Sequence, residues 1–378
     1  MNNRISFLKT LRGGASIIVM LSHLLVMFWT NSETVGLVFP YLQEGVSHVP
    51  EPSILDKVNQ LFIQIHFSLG AYGVAIFFMI SGFTINLSLE NKGIRQFITK
   101  RLFRIWPTYL FGFSITFFMI LIYTRLYDMV FPYGLKDWLM QCSLLRNWFW
   151  VPSIDGISWT LEIEVEFYVF AGIFYFFRRS FDQKGICFVA GIMSLFNFLT
   201  YFWLDYLLIT QIKVYCLVYT ISFFNINILY IMLGISAFNY YRGHWTLQQL
   251  VAMSIKLFFL LCWCVYFSFE RGAIQDYTVS YLFGFLTFWV VYILNDKLSH
   301  FRILNFFDQI SYPLYIVHGL NGYIISAFLL QHGINPLACF GVSVGFAVIT
   351  AYLLHITVET WGLKLYNYLC NLKRRPIV

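Results

Sequence analysis

The chain has 378 residues, 59% of them hydrophobic, 21% aromatic and only 11% charged, with a formal net charge of +7 and a mean hydropathy of +0.69. Soluble domains carry roughly 25% charged residues, so the composition excludes a soluble enzyme and predicts an all-α, polytopic transmembrane helix bundle. Nucleic acid is not an expected partner, because the basic residues fall in short groups between apolar runs, where membrane topology accounts for them.

Apolar runs long enough to cross about 30 Å of hydrocarbon occur near 13–30, 72–89, 105–125, 159–177, 186–203, 214–238, 251–269, 277–294, 310–330 and 336–358, giving ten predicted spans in one transmembrane domain, 1–378. The first run reads as a full span rather than a cleaved signal, since it lacks a small-residue cleavage site. The stretch 205–240 reads either as one long tilted helix or as a broken one. With the N-terminus in the cytoplasm, most of the 25 Lys and Arg lie inside, grouped as Arg4, Lys9 and Arg12, then Lys92, Arg95, Lys100, Arg101 and Arg104, then Arg178, Arg179 and Lys184, then Arg242, then Lys297 and Arg302, and finally Lys364, Lys373, Arg374 and Arg375. Acidic residues such as Glu33, Glu44, Glu51, Asp56, Asp128, Asp137 and Asp155 fall outside. Both termini are therefore expected to be cytoplasmic. The external loops 31–71 and 126–158 are long, yet too short for a separate enzyme domain. Seven scattered cysteines show neither a disulfide framework nor zinc spacing, and no metal site is expected.

Within these spans a few polar residues stand out. Arg12 and His23 are eleven positions apart on the first span, on nearly one helix face and about 16 Å apart along it. Ionisable groups at such depth usually face a polar interior, and neutral imidazole is a common general base. Next, Gly70-Ala-Tyr-Gly-Val-Ala-Ile-Phe-Phe-Met-Ile-Ser-Gly-Phe83 reads as helix-packing sequence, with small residues Gly73, Ser81 and Gly82. Arg101 and Arg104, three apart before Pro107, share a face; their guanidinium forks suit phosphates, and a stop-transfer cluster at anionic headgroups is the plainer reading. Pro107 is expected to open or kink the following helix.

Further on, Ser158-Trp-Thr-Leu-Glu-Ile-Glu-Val-Glu-Phe-Tyr168 places Glu162 and Glu166 on one helix face, expected to be solvated at the interface, and Glu164 on the other face with Tyr168 four residues on. In Ile310-Ser-Tyr-Pro-Leu-Tyr-Ile-Val-His318, the residues Ser311, Tyr315 and His318 form a polar stripe, and the second intramembrane histidine points to a cavity shared with the first. Trp138, Trp148 and Trp150 read as interfacial anchors, with stacking on sugar rings as the alternative.

In this order along the chain, the five segments resemble the integral-membrane acyltransferase 3 family, whose bacterial members O-acylate cell-envelope polysaccharides and related glycans. The match carries over Arg12, His23, Gly82, Phe83, Arg101, Arg104, Pro107, Trp159, Leu161, Glu164, Phe167, Tyr168 and the tyrosines and His318 of the ninth span. Lys9-Thr10 stands where many members have Asp-Gly, and Thr160 replaces a serine. Many relatives carry a C-terminal extracytoplasmic hydrolase-like domain; ending after its last span, this chain is expected to work alone or with a separate partner.

The resemblance implies transfer of an acyl group, acetyl from cytoplasmic acetyl-CoA or alternatively succinyl, to a sugar hydroxyl on an envelope polysaccharide or lipid-linked glycan. The setting would be the bacterial cytoplasmic (inner) membrane. It implies Arg12, Arg101 and Arg104 as holders of the CoA phosphates and His23 as general base or transient acyl acceptor. Glu164 is its expected orienting or acid/base partner, with Tyr315 and His318 as cavity-lining support. Self-association into a homo-oligomer is left open. A transporter or flippase of lipid-linked glycans would also need mid-membrane polar groups, but the chain shows no matched halves of the kind transporters carry. A structural subunit is the third reading.

Overall fold

The computed structural model describes residues 6–50, 54–178, 180–298 and 300–372. Arg4, Glu51, Arg179, Lys373, Arg374 and Arg375 of the charge pattern lie outside the described residues. Among those described, the chain is helical with no strand.

Among the described residues, eight helices are long and apolar enough to cross a membrane. We number the bundle helices α1 (Ser6–Thr30), α2 (Leu69–Leu89), α3 (Ile94–Leu126), α4 (Trp159–Arg178), α5 (Gln183–Tyr201), α6 (Ile212–Tyr241), α7 (Leu247–Tyr266), α8 (Phe269–Ile293), α9 (the pair Arg302–Val317 and Gly319–Gln331, bent by 68°) and α10 (Pro336–Cys370). Counted by length and apolarity the spans are eight, or nine with the bent pair, rather than ten. The difference is α4, which has a span's 20 residues but opens with Glu162, Glu164 and Glu166.

Helices α2 and α3 are the two arms of one 58-residue helix, Leu69–Leu126. On a straight rod Ser81 and Arg101 would be about 30 Å apart, yet Ser81 donates to Glu164 and Arg101 lies over Tyr168, which itself bonds Glu164. The rod therefore folds back on itself, and its arms face one cavity. Helix α3 runs through Pro107 instead of starting at it. Nearby backbone is covered by neighbours: Tyr312 donates to the Ile105 carbonyl at 2.8 Å, and Gly362 closes on the Phe103 carbonyl that Pro107 leaves without its helical donor.

The centre of the bundle is α6, apolar all round and buried continuously from Asn225 to Asn239. The 205–240 stretch takes its broken form: a short helix, Leu204–Thr210, ends at Gln211 before α6 begins. Helix α6 meets α2 backbone to backbone, since a Cβ on Gly82 would lie 2.0 Å from the Ile231 carbonyl oxygen and one on Gly234 2.2 Å from that of Met79. At Gly13, a Cβ would stand 2.0 Å from the Leu304 carbonyl oxygen, and this close approach of α1 to α9 sets Arg12 beside Asp308.

The 126–158 loop folds into the bundle. Gln141 is fully buried and bridges the hydroxyls of Tyr109 (3.1 Å) and Ser158 (2.6 Å), while Asp155 accepts from the amides of Ile157 and Ser158 just ahead of α4. This corrects the expectation for two glutamates. Glu162 is buried 3.0 Å from Arg146, a coulombic pair in which the N–H is not aimed at the oxygen. Glu166 accepts from the Trp148 indole at 2.7 Å. The loop covers the start of α4, burying Glu162 and leaving Glu166 half-buried.

Candidate active site

Several cavities open in the bundle, among them one of about 1620 Å³ of open space that His23 lines in part, and two others share a wall. One is lined by Arg12 from α1, Arg101 and Arg104 from α3, Ser81 from α2, and Glu164 and Tyr168 from α4, with about 820 Å³ of open space. The three arginines of the sequence reading thus converge although they come from two helices. Arg12 pairs with Asp308 at 2.9 Å, and Arg104 with Glu359 at 3.0 Å. The other Glu359 oxygen is 2.8 Å from His355 Nδ1. Arg101 has no carboxylate partner among the described residues; its guanidinium sits over the Tyr168 ring at 4.8 Å and the Phe97 ring at 5.6 Å. Opposite charges at this depth are retained when paired, so Asp308 and Glu359 hold Arg12 and Arg104, while Arg101 is held by ring contacts alone among the described residues.

Glu164 lies in this arginine cavity. It accepts from the Ser81 hydroxyl at 3.0 Å and from the Tyr168 hydroxyl one helical turn on. The expected i, i+4 pairing with Tyr168 is present, whereas the ring partner of His23 is His318, not Glu164.

The second cavity is lined by His23, Val19, Ser68, Trp159 and Tyr277. His23 follows directly on the α-helical part of α1 in a π turn, Ser22–Met27, the wider helical turn often found at functional sites. His318 is held at the bend of α9. Its Nδ1 is 3.0 Å from the Leu314 carbonyl oxygen and 2.9 Å from that of Tyr315, so Nδ1 carries the hydrogen. Its Nε2 is then an acceptor, 3.4 Å from His23 Nδ1. His23 accordingly donates through Nδ1 and keeps the lone pair on Nε2, the form a general base needs.

Val74, Thr160 and Tyr315 line both cavities and form the wall between them. The Tyr315 hydroxyl donates to the Ile157 carbonyl at 2.6 Å and accepts from Thr160. Arg12 and His23 thus stand on one helix at opposite sides of a thin partition, each facing its own chamber.

Sequence reasoning missed Asp308, Glu359 and the part taken by Ser81. An acidic residue at the edge of an apolar run was the available signal for the first two; nothing in the glycine-rich α2 sequence marks Ser81 as a carboxylate partner.

The fold and the buried polar site define a multi-pass membrane protein built around internal chambers. The family model described as "Acyltransferase domain" (acyltransferase 3) matches residues 5–356, and the chain belongs to that family: it is a membrane acyltransferase. No curated protein and no solved structure matches the chain.

Proposed function

We propose that the enzyme moves an acetyl group from acetyl-CoA to a hydroxyl of a cell-envelope polysaccharide or lipid-linked glycan, in the bacterial inner membrane with both termini cytoplasmic. The observation that carries this reading is the pair of chambers sharing the Val74, Thr160 and Tyr315 wall: one is lined by three arginines, the other by His23. Arginine forks bind phosphate bidentately, so Arg101, Arg12 and Arg104 hold the CoA phosphates, and the pantetheine arm reaches past Tyr315 towards His23. The eleven residues from Arg12 to His23 correspond to about 16 Å of helix, the depth the thioester must reach.

At that point the sugar hydroxyl gives its proton to His23 Nε2 as its oxygen attacks the thioester carbonyl. The C–S bond then breaks, and the departing sulfur takes the proton from His23, leaving the O-acetyl ester and free CoA. His318 acts through His23 as a positioning residue, fixing the tautomer. Glu164, clamped by Ser81 and Tyr168, orders the wall of the donor chamber. The test is acetyl transfer by the purified protein. His23→Ala should abolish transfer with CoA still bound, and full activity in that variant would overturn the assignment. A transporter would turn over no acetyl-CoA.

A further inference from the structure

Another cavity, with about 1070 Å³ of open space, adjoins the histidine chamber and shares Trp159 and Tyr277 with it. The proposed donor path does not use it. Its walls are aromatic: Trp159 and Phe223 rings are 5.4 Å apart, and Tyr219 and Phe223 lie parallel within 9° at 6.2 Å. Trp150 meets Tyr219 edge-on at 5.6 Å, and its indole N–H donates to the Cys216 carbonyl at 3.0 Å. The backbone of Trp150 has φ of +52°, a conformation that bulky residues rarely adopt, so the fold tolerates strain to set this indole in the wall.

Two carboxylates share the cavity with these rings. Glu166 accepts from Trp148 through Oε1, while its buried Oε2 has no partner among the described residues. Glu270 accepts from the Tyr219 hydroxyl at 3.3 Å. Arg146 also reaches this space but is offset by Glu162. The chamber therefore offers flat apolar faces together with carboxyl groups that can hydrogen-bond a ligand.

We infer that this cavity is the acceptor subsite and binds a sugar ring of the glycan, delivering its hydroxyl to His23 from the side opposite the donor. A pyranose has an apolar C–H face for Trp150, Tyr219 and Phe223 and a rim of hydroxyls that donate to Glu166 and Glu270. A lipid chain would bury those carboxyl groups without hydrogen-bond partners. The inference rests on the glycan acyltransfer reading and names the binding surface that reading lacks.

The experiment uses full-length protein in detergent with labelled acetyl-CoA. The probe is alkali-de-esterified envelope polysaccharide, and two rates are followed: transfer to polysaccharide and hydrolysis of acetyl-CoA without it. Trp150→Ala and Glu166→Gln are each expected to raise the polysaccharide concentration for half-maximal transfer by about tenfold or more, and to lower the transfer-to-hydrolysis ratio at subsaturating polysaccharide. Trp150→Phe should recover most of the loss, and Trp203→Ala, an exposed indole elsewhere, should behave as wild type. Unchanged half-saturation in both Trp150→Ala and Glu166→Gln would overturn the subsite, as would transfer and hydrolysis falling in parallel. Hydrolysis without any transfer by the wild-type protein would instead refute the glycan reading itself, and this subsite with it.

Discussion

Replacing His318 by phenylalanine tests the histidine pair most sharply, because the ring is retained and only its nitrogens are lost. His318 is 1% exposed, and its Nδ1 hydrogen is committed to the Leu314 and Tyr315 carbonyls, so Nε2 is the acceptor for His23 Nδ1. Phenylalanine removes that acceptor and leaves a buried N–H unpaired, which costs about 1–3 kcal/mol. The 3.4 Å separation is long for such a bond, so the lower half of that range applies. At about 1.4 kcal/mol per factor of ten, the rate of acetyl transfer should fall about five- to thirtyfold. Transfer from labelled acetyl-CoA by protein in detergent gives the rate, and calorimetric titration with CoA gives the affinity. Affinity should hold, because His318 does not line the arginine chamber. His318→Gln, whose amide carbonyl can accept the same hydrogen, should recover much of the rate. A wild-type rate in His318→Phe would refute the tautomer argument, and an equal loss in both variants would assign the effect to packing.

Other consequences follow from the same geometry. Arg101→Ala removes the one chamber arginine without a carboxylate partner; the loss of a charged hydrogen bond worth about 1.5–3 kcal/mol should weaken CoA binding about ten- to a hundredfold by titration. Arg146→Met leaves Glu162 as an unpaired buried charge and should destabilise the protein by about 3–5 kcal/mol in thermal or denaturant unfolding, whereas adding Glu162→Leu should return most of that stability. Gly82→Leu pushes a side chain into the Ile231 carbonyl. Overpacking of about 1–3 kcal/mol or more should appear as a lowered melting temperature or loss of a monodisperse peak in size-exclusion chromatography.

Much of the site was legible because its residues break a strong apolar pattern. Arg12, Arg101 and Arg104 share a chamber, Glu164 bonds Tyr168 across one turn, and His23 meets His318. Helical spacing and the cost of burying charge suffice to bring these residues forward. The pairings that tune them were not legible: Arg12 finds Asp308 and Arg104 finds Glu359 across hundreds of residues, and such contacts leave no periodic trace. The reversal between 72–89 and 105–125 was legible as two spans joined on the inner side; that the helix runs unbroken from Leu69 to Leu126 was hidden, since a continuous helix and two separate spans share one hydrophobic signature. Interfacial glutamates look alike in sequence whether water or a loop covers them, which is why Glu162 and Glu166 were placed at the surface. The π turns at His23 and Glu359 add a residue to a helical turn without any residue type that demands it.

If His23 activates the acceptor for acyl groups delivered from CoA, its loss must abolish transfer without loosening CoA. Wild-type and His23→Ala protein are incubated with labelled acetyl-CoA and de-esterified envelope polysaccharide, and ester-bound label is counted while CoA binding is monitored in parallel. Label is expected on the polysaccharide with the wild-type protein and none above background with His23→Ala, with equal CoA binding by both. Label transferred by His23→Ala at the wild-type rate would contradict that role for His23.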